Sequence, residues 1–301
     1  MLHPGWRLAL FVLMLALCAG VIAVLFVILR VPPQRIHGVL QPVPMLGTGV
    51  AVVVAVLAAT LGCLRFLEHR RLATVGLPVG PVPYTGLIGG VLVGAVVPLT
   101  ACGILRLSGH ALIEGLPLSG DQLVRATLPM AGATILLSSW EEIAFRGYPL
   151  QLLSEIGGPW LAAAMTGLLF GLAHSGNPGA NPLGLVNTAL NGALLGMIVI
   201  RTGSLWLACG YHAGWNLAAS TLLGMRDSGT IASGSIFSTT LSGPRWLSGG
   251  EYGFEASVLT GVIETLVLVA ILANASRLPA VLEAQPYFSG RHDRSPAFAA
   301  G

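Results

Sequence analysis

The apolar residues of this chain fall in long unbroken runs, not in the alternating pattern of half-buried strands or the single stripe of a water-facing helix. The first run, 8–29, holds no charge between Arg7 and Arg30. As a helix rising 1.5 Å per residue it reaches about 33 Å, enough to cross a hydrocarbon core of roughly 30 Å. It is longer than the about 7–15 apolar residues of a signal peptide, and no small-residue cleavage site leads into a polar domain, so it reads as a retained anchor. Similar runs follow at about 44–64, 84–105, 126–154, 160–174, 183–200, 204–223 and 256–276. Residues 106–125 are mixed and broken by Gly109, Gly115 and Gly120, a loop with room for an interfacial helix. A Gly/Ser-rich loop covers 224–255 and a polar tail 277–301. The pattern predicts an all-α, polytopic transmembrane bundle of about eight helices. It forms a single membrane-embedded domain over 1–301 whose chemistry concentrates in about 126–223.

Composition agrees. Only 9% of the 301 residues are charged and 54% are hydrophobic, against about 25% charged in an average soluble domain. Mean hydropathy is +0.81. Too few charges exist to cover a soluble globule, which excludes a cytosolic enzyme, a disordered chain and a secreted disulfide scaffold. A net charge of +3 is too small for a nucleic-acid footprint. All the basic residues are Arg, as GC-rich bacterial coding favours. Cys18, Cys63, Cys102 and Cys209 each lie inside an apolar run without paired spacing, so they read as buried free thiols. Forty glycines suit helices that must pack closely in lipid. With eight spans both termini share one side, which holds eight arginines against six opposite once Arg146 is set aside. That balance leans towards cytoplasmic termini of a multi-pass protein in the cell (inner) membrane. Nothing in the pattern specifies an oligomeric state.

Against such scarcity, polar residues inside apolar helices carry the information. The fourth run holds Glu141, Glu142 and Arg146. Each charge at a helix centre costs roughly 2.5–3.5 kcal/mol on insertion scales. Glu142 and Arg146, four apart, share a helix face and can pair, which leaves Glu141 without a local partner. The fifth run ends at Phe170 and His174, and the seventh carries His212 and Asn216, again four apart. Counted from the turn at Gly157-Gly158, Glu141 and His174 each sit about 24 Å along antiparallel helices, hence at matching depth. They are expected within about one water of each other. A carboxylate and a neutral imidazole sharing a water form a general base. An imidazole and a carboxamide can donate to a developing oxyanion, which is worth more in a dry site. Glu264, alone in the last run, reads as a bundle-facing packing group, with a part in the cavity as the alternative.

Glu141-Glu142-x-x-x-Arg146, Phe170-x-x-x-His174 and His212-x-x-x-Asn216, in that order, resemble the motifs of the CPBP family, the CAAX proteases and bacteriocin-processing enzymes also called Abi. The run Arg201 to Trp206 ahead of the last motif strengthens the likeness. The resemblance implies an intramembrane endopeptidase acting on a membrane-associated protein or peptide. In that reading Glu141 and His174 activate water, His212 and Asn216 hold the oxyanion, and Glu142 and Arg146 orient. The family mechanism it implies is a glutamate one without cofactor or metal. Glu141, His174 and His212 could alternatively supply three ligands to a catalytic zinc, although no HExxH is present. No GxSxG or GxGD lies in a helix, which argues against serine and presenilin-type aspartyl proteases. Two other classes compete: a non-catalytic immunity or scaffold protein of the same fold, and a transporter with a proton relay. The complete set of four site residues argues against the first, and the lack of inverted repeats against the second.

Overall fold

The computed structural model describes residues 2–32, 34–36, 39–78, 82–115 and 118–273. The polar tail, with Arg277, Arg291 and Arg294, lies outside the described residues.

Each apolar run has a helical counterpart. The first four helices are α1 (Pro4–Ile28), α2 (Pro42–Gly62), α3 (Val82–Leu107) and α4 (Gly120–Glu142). They are followed by α5 (Tyr148–Ala173), α6 (Pro182–Thr202), α7 (Leu205–Asn216), a one-turn α8 (Arg245–Ser248) and α9 (Val258–Ala273). Five helical stretches among the described residues are long and apolar enough to cross a membrane. One of these, Gly120–Gly176, runs 57 residues and is in effect two passes, because Gly158 breaks it at φ 83°, ψ 166°. A positive φ there asks for glycine. Proline follows at Pro159 and starts the second pass, so the predicted Gly-Gly-Pro turn is present.

The connections at one end of the bundle are ordered together into a small cap. Strands β1 (Arg35–Ile36), β2 (Val39–Leu40) and β4 (Ile231–Ala232) form one sheet, with β1 antiparallel and β4 parallel to β2. Strand β3 (Ala111–Glu114) pairs antiparallel with β5 (Ser238–Leu241) in a second. This corrects the expectation of an interfacial helix in 106–125. Only about a dozen residues separate α3 from α4, and Ala111–Glu114 satisfy their backbone on β5 instead of on one another.

Small residues set the core of the bundle. Along α3, Gly90 and Gly94 meet the backbone of α7 at Leu207, Gly210 and Tyr211. Gly210 and Gly214 of α7 in turn meet Leu87 and Val91. Added Cβ atoms would collide with main chain, so the two helices touch backbone to backbone, as small-xxx-small pairs allow in lipid. Gly167 and Gly171 of α5 likewise face Ala189 and Ala193 of α6. These crossings fix α7 and α6 around the polar residues of α4 and α5.

Arg7, which bounds the first apolar run, is buried. It is 5% exposed and bonded through Nη1 to Glu68 Oε1 at 2.6 Å, with Glu155 a second partner. Arg70 Nη1 reaches Glu68 Oε2 at 2.8 Å, and the Tyr148 hydroxyl also donates to Glu68. This network ties the otherwise lipid-facing α1 to the bundle. Apart from Arg7, only Phe11 of α1 is buried.

Candidate active site

The α-helical ladder of α4 gives way after Glu142 to a π-helical turn, Ile143–Gly147, before α5 begins. Such wide turns recur at functional sites because they re-aim side chains within a helix. Glu142 immediately precedes it and Arg146 lies within it, both with fully buried side chains, and Arg146 Nη1 donates to Glu142 Oε1 at 3.0 Å. The predicted ion pair is therefore present. The guanidinium carbon also lies 4.3 Å from the centre of the Phe170 ring and 5.5 Å from that of Phe145. That stacking shields the cation from lipid.

Sequence spacing leaves Glu141 unpartnered; the fold supplies a partner from α7. His212 Nε2 stands 3.8 Å from Glu141 Oε2, and His212 Nδ1 lies 2.9 Å from Glu142 Oε1. A carboxylate only accepts, so His212 carries a proton on Nδ1. One turn further along, Asn216 Nδ2 donates to Ser138 Oγ at 3.2 Å. Two i, i+4 pairs thus face each other across α4 and α7, Ser138 against Asn216 and Glu142 against His212.

His174 opens the short 3-10 turn His174–Gly176 at the end of α5. Its Nδ1 lies 2.8 Å from the Phe170 carbonyl, an acceptor, so that nitrogen carries a proton. The His174 and Phe170 rings are 4.5 Å apart, and Phe170 meets His212 edge-on at 5.8 Å. Phe170 therefore sits between the two imidazoles and beneath Arg146. His174, His212 and Asn216 line one pocket together with Asn187 and Asn191 of α6, Glu264 of α9, and Ser228 and Glu255 of the cap. His212 stands beside Glu141 and lines the same pocket as His174.

Several of these residues were not singled out by sequence. Ser138 had a signal, lying four residues before Glu142 on the same face. Asn187 and Asn191, four apart on α6, had the same one. The cap residues had none, since only the tertiary path returns the 224–257 connection to the site. There Glu255 Oε2 accepts from Ser228 N at 2.6 Å and Ser228 Oγ at 2.9 Å. Asp227 beside them is 7% exposed, and burial followed by the Glu255 charge pushes its carboxyl well above the usual carboxylate range. Glu264 is 2% exposed and lines the pocket, which answers the alternative posed for it.

Residues 124–218 match the family model described as Type II CAAX prenyl endopeptidase Rce1-like. That stretch contains Glu141, Glu142, Arg146, His174, His212 and Asn216. The chain is also 30% identical over 125 residues to the uncharacterized protein YyaK of Bacillus subtilis (strain 168), covering 39% of this chain and 42% of that protein. Less than half of that relative is thus spanned. The three motifs fall in their order inside the matched segment, so 124–218 is similar to the Type II CAAX prenyl endopeptidase Rce1-like family.

Proposed function

We propose that this protein is an intramembrane endopeptidase of the cell (inner) membrane, hydrolysing a peptide bond of a membrane-associated protein or peptide. The observation that carries the reading is the doubly held His212, with Nδ1 on Glu142 and Nε2 towards Glu141. A structural ion pair needs only Glu142 and Arg146. A second carboxylate and an imidazole brought to the same place at a cost in desolvation point to chemistry.

In this reading Glu141 takes a proton from water as the oxygen attacks the scissile carbonyl carbon, and His174 Nε2 accepts a hydrogen bond from the same water. The carbonyl oxygen becomes an oxyanion, bonded by His212 and Asn216. Asn216 has one amide hydrogen on Ser138 and a second free for this task. His212 has its Nδ1 proton committed to Glu142, so donation from Nε2 requires the imidazolium form. Glu141 and Glu142, one against each ring nitrogen, stabilise that cation. The proton taken by Glu141 passes to the departing amine, which closes the cycle. Every step runs through side chains of the chain, and the mechanism calls for no cofactor or metal.

The test is cleavage of membrane-anchored peptide reporters in liposomes by the wild type, Glu141→Ala and His174→Ala, with and without chelator. The expected result is cleavage by the wild type, loss in both variants and no effect of chelation. Full cleavage by Glu141→Ala overturns the mechanism. Loss of wild-type activity on chelation, restored by zinc, replaces it with a metal-dependent one. Absence of cleavage across a broad reporter set supports a non-catalytic membrane protein of the same fold.

A further inference from the structure

Hydrolysis inside a membrane consumes a reagent that hydrocarbon excludes. The pocket lined by His174, His212 and Asn216 extends to the cap, at the partly exposed Ser228 and Glu255, and Asn187, Thr188, Asn191 and Glu264 line it beside Leu195 and Trp215. Asn187 Nδ2 donates to the carbonyls of Glu255 at 2.6 Å and Ser257 at 2.9 Å. Those two bonds tie α6 to the cap at the mouth. Deeper in, Asn191 and Glu264 line the pocket, and Asn191 Oδ1 and Glu264 Oε2 are without a hydrogen bond within the protein, as is Trp215 Nε1. Glu264 is 2% exposed and Trp215 1%. A carboxyl oxygen, a carboxamide oxygen and an indole N–H offer both acceptors and a donor. A water molecule supplies two donors and an acceptor, and a buried water typically makes about three hydrogen bonds. The pocket that these three residues help to line has room for a water molecule.

We propose that this pocket is the water conduit of the site. In it Trp215, Asn191 and Glu264 hold a water in transit from the cap to His174. Glu264 and Asn191 are positioning residues that act on the hydrolytic water before it reaches the reacting atoms. The role assigned to the water rests on the protease reading; its presence does not.

The test uses the full chain reconstituted in liposomes and a charged, water-soluble methanethiosulfonate reagent. Asn191→Cys is compared with the unsubstituted protein and with Leu168→Cys, a position that is 50% exposed on the apolar face of α5 and hence bathed in lipid. The thiol introduced by Asn191→Cys is expected to react at least about tenfold faster than either. Leu195→Cys, which lines the same pocket, serves as a second probe should Asn191→Cys not fold. Modification of pocket thiols no faster than that of Leu168→Cys overturns the conduit. For the role in turnover, Glu264→Leu is expected to lower kcat about tenfold with KM unchanged, while Glu264→Gln retains most of it. Equal kcat in wild type and Glu264→Leu overturns that part. Because labelling requires no cleavage, a dry pocket and a failure of the protease reading are distinguished.

Discussion

His212 Nδ1 lies 2.9 Å from Glu142 Oε1, and the same oxygen takes the Arg146 guanidinium at 3.0 Å. Glu142 is therefore more than half of an ion pair. It is the hinge between a buried cation and the His212 ring, and it decides which nitrogen of His212 carries the proton. Groups that orient a functional imidazole in this way typically matter by 10–100-fold when removed.

Glu142→Gln separates the two roles. Its carboxamide oxygen can still accept from Arg146, but its NH2 then faces His212 Nδ1 and forces that nitrogen to accept. The ring proton moves to Nε2 and one of the two carboxylates that stabilise the imidazolium is lost. Cleavage is expected to fall about 10–100-fold while the bundle stays folded. Imidazole 15N shifts of labelled protein report the protonated nitrogen directly, and an unchanged Nδ1–H signal in the variant contradicts the assignment. Glu142→Ala is a harsher change. Breaking a buried pair on one side costs about 3–5 kcal/mol, so misfolding is expected there.

Asn216 and Ser138 make a similar comparison. Asn216→Ala removes the proposed oxyanion donor, and loss of such a donor costs about 10²–10³ in kcat. Ser138→Ala removes only the group that aims the amide, through the 3.2 Å bond. Its effect on kcat is expected to be smaller, about tenfold, with KM unchanged in both variants. Ser138→Ala as inactive as Asn216→Ala would mean that the hydroxyl itself touches the reacting atoms.

What sequence could show of this site follows from its periodicity. Glu142 with Arg146, and His212 with Asn216, are four apart, so a helical reading places each pair on a face without any tertiary knowledge. The pairing of those faces was not legible. Glu141 and Glu142 are adjacent and point about 100° apart on a helix, yet His212 reaches both, because α7 packs at the point where α4 widens into a π turn. Hydropathy does not encode such a turn. The bundle was legible because lipid imposes length on each span, and the Gly-Gly-Pro break between two passes announced itself. The cap was not, since β3 and β5 are four residues each and pair across more than a hundred positions. In the sequence Arg7 only bounds the first apolar run; its burial follows from the tertiary positions of Glu68 and Glu155, which no local pattern places.

The backbone contact between α3 and α7 places His212 and Asn216, so crowding it should disturb chemistry and stability together. Gly94→Ala drives a methyl group into the Tyr211 main chain. Overpacking of this kind costs about 1–3 kcal/mol, and contact with backbone, which cannot rotate away, belongs at the upper end. A lowered Tm in detergent and reduced cleavage are expected together. Gly89→Ala on the same helix meets nothing within 4 Å and serves as the control with unchanged Tm and activity. Equal melting of the two variants would show that α3 and α7 do not touch along this face.

Asp227 gives the cap a dependence on pH. Its carboxyl is held well above its usual range by burial and then by the neighbouring charge of Glu255, with Glu141 contributing the same sign from the site. The folded state therefore binds this proton more tightly than the unfolded chain, in which an Asp titrates near about 3.9. The corresponding stabilisation is complete below that value and is lost as pH rises through the folded-state pKa. In a series of thermal melts from acid to neutral pH, wild type should lose stability on this account, and Asp227→Asn, neutral throughout, should lose less. Carboxamide and protonated carboxyl are nearly isosteric, so the two proteins should converge at the acid end and separate upward. Parallel curves across the whole series would place Asp227 outside the buried pair and remove the cap's pH sensitivity.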